Sequence, residues 1–140
     1  MIAAVDASGR DATTLRRAYE AAVADAVETV GEDAVAAGTD LDVDTVGALA
    51  DDAAETPSLT LAEASAVLAL TADRDADAIA ADARDRLLLD LSSAVLDVEA
   101  LSGGLDGDAT PKELQAKMEG RHPMSLAEYA EIRAFVAGQT

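Results

Sequence analysis

The sequence predicts an all-α protein of about eight helices, arranged as two related halves joined by a long central helix. Three observations carry this expectation. Apolar residues recur at helical spacing along most of the chain, with few β-branched runs. Ser, Thr and Asp stand where helices should open, and Gly stands where they should close. Finally, the capped segment TLAEASAVLAL (60–70) recurs as SLAEYAEIRAF (125–135). Of the 140 residues half are apolar, yet only Phe135, Tyr19 and Tyr129 are aromatic. The core must therefore be built from Ala, Leu, Val and Ile, which suits closely packed helices.

In order, a first helix is expected over about 11–30, with Leu15, Tyr19, Val23, Ala26, Val27 and Val30 as its apolar stripe and Gly31 as its stop. Residues 32–38 form a short helix ended by Gly38. A third helix follows, with Asp42 or Asp44 as N-cap and Val46 and Leu49 facing inward. The loop DDAAETPS (51–58) carries Pro57, which discourages helix continuation. Thr60 and Glu63 then make a capping box for a helix lined by Leu61, Ala64, Val67 and Leu68. The pattern through Ile79 continues into LLLDLSSAVL, which predicts one long connecting helix over 75–96. DVEALSGGL (97–105) is a short helix ended by a Gly pair, followed by the loop DGDA.

The last stretch, 109–136, reads as two short helices around a tight turn. Thr110 is an N-cap, Pro111 sits at the first helical position, and Glu113 is placed to bond back to the cap. Gly120 should stop this helix in the left-handed conformation. Ser125 and Glu128 form a second capping box, with Leu126, Tyr129, Ile132 and Val136 on one side. The expected organisation is a first half over 1–72, the connecting helix over 73–96 and a second half over 97–140, together one compact unit.

The charge bounds the setting. Against 10 basic residues stand 28 acidic ones, for a formal charge of −18. The acids alternate with apolar residues at helical spacing, so they coat helices and do not form an acidic tail. The apolar content excludes a disordered chain. Two Lys against eight Arg and the carboxylate excess point to a cytoplasm of molar salt. There the Debye length of about 3 Å screens self-repulsion. Without cysteine there is no disulfide, thiolate nucleophile or Cys-ligated metal. MIAAVDASGR lacks the basic region of a signal peptide. ASAVLALTA at 64–72 is about half of what a membrane span needs. These features predict a cytoplasmic protein without membrane contact.

The internal match extends beyond the capped helices. DAVAAGTDL (33–41) resembles DVEALSGGL (97–105), and TVGALADD (45–52) lies over ELQAKMEG (113–120). Each half thus reads as long helix, short helix, Gly-containing turn, third helix, loop and capped fourth helix. That order resembles the helix-turn-helix domain of the phage-repressor (Cro/C1) family, over about 12–70 and, less clearly, 84–137. The resemblance implies that the third helix, Asp44–Asp51 or Pro111–Glu119, would enter the DNA major groove. The whole chain also resembles a haloarchaeal family of small acidic proteins of unknown function, which implies no activity.

The two third helices differ in their fitness for DNA. DTVGALAD offers no Arg, Lys, Asn or Gln to a base edge, and its carboxylates would face phosphates. Residues 109–140 hold four acids (Glu113, Glu119, Glu128, Glu131) and four bases (Lys112, Lys117, Arg121, Arg133), so all the excess charge lies outside them. Both lysines and the sole histidine, His122, fall within this neutral segment. With Leu114 and Met118 inward, Lys112, Ala116 and Glu119 should point outward and Gln115 lie on the flank. The candidate contact residues are Lys112, Gln115, Lys117, Arg121 and His122. They would serve a DNA-associated, transcription-regulatory role or, alternatively, a protein–protein adaptor that binds no DNA.

Other constellations carry less. His122 has no Ser or Asp arrangement around it that suggests a triad, and a turn or capping role fits it better. Asp40, Asp42 and Asp44 have the opening spacing of a calcium loop, but Thr45 occupies the position that needs Gly, and Leu41 and Val43 call for burial. Asp73, Asp75 and Asp77 open a solvated helix. Gly103-Gly104 lacks the further glycines or the Lys of a phosphate loop. No enzyme, cofactor, metal or small-molecule substrate is expected.

Overall fold

The computed structural model describes residues 5, 7, 9–51, 58–72, 74–105 and 110–139. Residues 52–57 of the Pro57 loop, all of DGDA and Asp73 lie outside them. Among the described residues there are eight helices and no strand, and no helix is long and apolar enough to cross a membrane. They are α1 (Ala12–Val30), α2 (Glu32–Gly38), α3 (Val43–Ala50), α4 (Leu61–Ala69), α5 (Ala76–Ser93), α6 (Val98–Gly104), α7 (Pro111–Met118) and α8 (Leu126–Ala137).

Local chemistry sets most of these boundaries. The Asp11 carboxylate accepts from the Thr14 amide at 2.8 Å and opens α1, and Asp42, not Asp44, does the same for α3 through Thr45 at 2.7 Å. Both capping boxes form in full. At α4 the Glu63 amide donates to Thr60 Oγ1 (3.1 Å) while the Thr60 amide donates to Glu63 Oε1 (2.9 Å); Ser125 and Glu128 repeat this at α8. At α7 only the forward half forms, with the Glu113 amide on Thr110 Oγ1 at 3.2 Å. The return bond expected from Glu113 is not made.

The helix expected over 75–96 ends early, at Ser93. Its end is a Schellman turn: the Val95 amide donates to the Ser92 carbonyl at 3.2 Å and the Leu96 amide to Leu91 at 2.9 Å. Val95 takes the left-handed conformation (φ 57°) that such a turn requires. A β-branched residue is strained there, so nothing in LSSAVL announces the stop. Val43, expected to need burial, is 63% exposed, whereas Leu41 is buried.

The two halves interlock. α1 packs most extensively on α8 and α4 on α5, so each half's long helix leans mainly on the other half's fourth helix. A short antiparallel bridge joins the two caps, Thr60 to Ser125. The Leu61 amide donates to the Met124 carbonyl at 2.7 Å, and the Leu126 amide to Leu59 at 2.8 Å. These partners are themselves repeat counterparts (59 with 124, 60 with 125, 61 with 126), so an approximate twofold axis passes between the caps. Along the long helices the buried residues keep register too: Leu15, Tyr19, Val23 and Val27 in α1 match Ile79, Ala83, Leu87 and Leu91 in α5. One apolar core runs through both halves, and each fully buried Leu, Val or Ile contributes roughly 1.5–3 kcal/mol of transfer free energy.

One polar node lies in that core. Arg133 of α8 is the largest fully buried side chain, 1% exposed. Its Nη1 donates to the Val5 carbonyl (2.7 Å) and to the Tyr19 hydroxyl (3.1 Å), while Nε lies 3.5 Å from Asp90 Oδ2 without a hydrogen bond. Tyr19 and Tyr129 meet edge to face, with ring centroids 5.5 Å apart. The Tyr129 hydroxyl donates to the Ala83 carbonyl at 3.0 Å. Burial opposes the Arg133 charge, but Tyr19, Tyr129 and Asp90 outweigh it and hold the guanidinium protonated. Burial likewise pushes both tyrosines above the usual phenol range.

Candidate interaction surface and groove

α7 and the turn that follows it position all five candidate residues. The helix starts at Thr110 with Pro111 in its first turn and ends on a second Schellman turn. The Gly120 amide donates to the Lys117 carbonyl (3.2 Å) and the Arg121 amide to Ala116 (2.8 Å), with Gly120 at φ 83°. This geometry turns the chain so that Arg121, His122 and Pro123 run back across the end of α7 toward α8.

Leu114, Ala116 and Met118 are buried. Ala116 was expected outward; it is 3% exposed, and its carbonyl accepts from the Arg121 and His122 amides of the turn that folds back onto the helix end. The outer face of α7 is therefore Lys112, Glu113 and Gln115, continued by Glu119, all exposed. Lys112 makes no hydrogen bond or ion pair among the described residues. The Gln115 side-chain amide donates to Glu119 Oε2 at 3.0 Å.

The other two cations are paired. Lys117 bonds Glu128 closely, and Arg121 bonds Glu119 at 2.8 Å. Partial burial pushes the Glu128 carboxyl up, but Lys117 and the Ser125 amide together hold it below its usual range. Glu119 is lowered by the Gln115 amide and by Arg121. Glu128 thus serves twice, in its capping box and as the Lys117 partner, which ties α7 to the start of α8.

Behind the turn lies a groove of about 320 Å³, floored by the first turn of α4 and walled by Lys117, Arg121 and His122. Its fourth polar wall is Arg84, from the middle of α5. The Arg84 guanidinium lies against the Gly120 backbone so closely that a Cβ there would stand 3.0 Å from its Cζ and Nε. Sequence reasoning missed Arg84 because it sits 33 positions before Lys117 in a highly charged helix. Only tertiary packing of α5 on α4, α7 and α8 carries it to the turn. A second hollow, near the α1 N-terminus, is bordered by Arg10, Glu131 and Phe135, whose ring fills the space a Gly104 side chain would take.

Among the described residues no three His, Asp or Glu side chains gather as metal ligands; Asp42 is spent on the α3 cap. Neither the curated proteins nor the solved structures give a significant match to the chain. The model of DUF5791, a family of unknown function, matches residues 15–139, and the chain belongs to that family.

Proposed function

We propose that the chain is a non-enzymatic protein–protein interaction module, with helix-turn-helix-like halves that serve as a scaffold and leave DNA unread. The observation that carries this is the outer face of α7. Its exposed polar residues are one Lys, one Gln and two Glu, and the Gln is already bonded to a Glu. A groove-reading helix needs unpaired cations toward phosphates and free donors toward base edges. This mixed polar face instead suits the rim of a protein interface. The first-half counterpart, α3, presents Asp44 and Val43 and no base.

The DNA-associated, transcription-regulatory reading keeps one specific support, Lys112, exposed and unpaired among the described residues at the start of α7. Duplex-binding isotherms at several KCl concentrations separate the two. The partner reading expects no binding, and a pulldown that loses its protein partner when Lys112 and Gln115 are changed to Glu. Duplex binding whose salt slope falls by about 0.9 for each of Lys112, Lys117 and Arg121 replaced by Glu would overturn it.

The setting we propose is a cytoplasm of molar salt. The net charge of −18 supports it, because such a surface destabilises a compact fold through self-repulsion unless salt screens it. The melting temperature should then climb steadily with KCl. A flat or falling curve removes the halophilic reading.

A further inference from the structure

We propose that the groove behind the α7–α8 turn is a binding site for the phosphate group of a small phosphate monoester. In a chain of 28 acids, no carboxylate-bearing residue among the described ones lines this groove, whereas Arg84, Lys117, Arg121 and the sole histidine do. Lys117 and Arg121 have carboxylate partners outside the groove, but Arg84 has none among the described residues. Its half-buried guanidinium instead lies over Gly120, in the space a side chain there would take, and makes no hydrogen bond or ion pair among the described residues. A planar, oriented and unpaired guanidinium is suited to bidentate capture of a phosphate, with Lys117 as a point charge beside it. The volume of about 320 Å³ matches the lower range of small-ligand pockets.

The other half supplies an internal control. In the register that aligns the buried residues of α1 and α5, Arg84 corresponds to Glu20, which is engaged with Arg16 at 3.5 Å. Leu49 stands where Lys117 does, and Asp52-Ala53-Ala54 in the sequence align with Gly120-Arg121-His122. The scaffold is shared, but the charge reverses at Glu20/Arg84, and Lys117, Arg121 and His122 have the uncharged counterparts Leu49, Ala53 and Ala54. Packing alone does not require a cation at half-buried Arg84 or exposed Arg121, and an anionic ligand gives both a role. This site is separate from the outer face of α7, and it stands or falls independently of the protein-partner reading.

The test is a titration of the whole chain with inorganic phosphate, a nucleoside monophosphate and a DNA duplex, at one fixed KCl concentration, followed by backbone amide NMR. Saturable binding of phosphate and the monophosphate is expected, with shifts at Arg84, Gly120, Arg121 and His122. A hydrogen-bonded charge pair is worth enough that Arg84→Gln should weaken binding about tenfold or more. Glu20→Gln should leave it unchanged. The chemical-shift pattern of Arg84→Gln elsewhere reports that the fold is kept, and Arg121→Gln provides a second variant at an exposed position. No saturation, or equal affinity in both Arg variants, overturns the proposal. Duplex binding through the same residues without monophosphate binding also overturns it, in favour of a nucleic-acid contact.

Discussion

The two halves of this protein share a skeleton and differ in what they do with polar groups. α4 and α8 bury the same positions, yet Ala64, Ser65 and Leu68 in the first correspond to Tyr129, Ala130 and Arg133 in the second. In α4 the lone buried hydroxyl, Ser65, is satisfied locally by the Leu61 carbonyl at 2.7 Å. In α8 the buried guanidinium reaches across to α1, α5 and the chain before α1. The long helices show the same contrast at their ends: α1 stops at Gly31 and α5 at the strained Val95. The lesson is that the repeat conserves apolar period and cap position, while polar groups were free to diverge. On the reading proposed above, function belongs to the neutral segment 109–140, outside which all the excess acidic charge lies.

The largest expected effects test whether the halves carry the core equally. Leu61→Ala and Leu126→Ala, each 3% exposed beside the cap bridge, should both cost about 3–4 kcal/mol in urea melts and agree within about 1 kcal/mol. A large disparity would mean that one half dominates stability. Next is Arg133→Ala, which strips two hydrogen bonds and leaves Tyr19 and Asp90 facing a void. It should cost about 3 kcal/mol, and Arg133→Leu, the residue type α4 uses there, should recover part of that loss. Equal costs would show that the polar node, and not its volume, carries the stability.

Smaller effects sharpen the contrast at the helix ends. Gly31 has φ 98° and ψ 142°, a region only glycine visits freely, so Gly31→Ala should cost about 2 kcal/mol. Val95→Gly at the equivalent end of α5 should instead stabilise, by about 1 kcal/mol, since the side chain is 90% exposed and its removal relieves left-handed strain. The same sign for both would remove the proposed asymmetry. Smallest are the caps. Thr60→Ala and Ser125→Ala, each breaking a complete box, should cost about 1.5 kcal/mol, and Thr110→Ala, whose box is half made, about 1 kcal/mol. Thermal melts that rank Thr110 first would place the start of α7 elsewhere.

By itself the sequence determined the elements. Local rules, such as the Thr60 and Ser125 boxes, Gly31 and Gly120 as stops and the 3.6-residue apolar period, act within a few residues and are written in consecutive letters. α2 was legible to the residue and α1, α3, α4, α7 and α8 nearly so. The tertiary structure alone decided three things. It ended α5 at Ser93, because burial of its neighbours outweighs the strain at Val95. It buried Ala116, where the turn after α7 folds back and the Arg121 and His122 amides reach its carbonyl. And it brought Arg84 over Gly120 and Arg133 under Tyr19, contacts set by how α5 and α8 exchange partners across the twofold axis. Of the candidate site, the residues of α7 and its turn could be read from charge and spacing. Arg84 could not, since its charge in an exposed helical run looks like ordinary solvated surface until another helix folds against it.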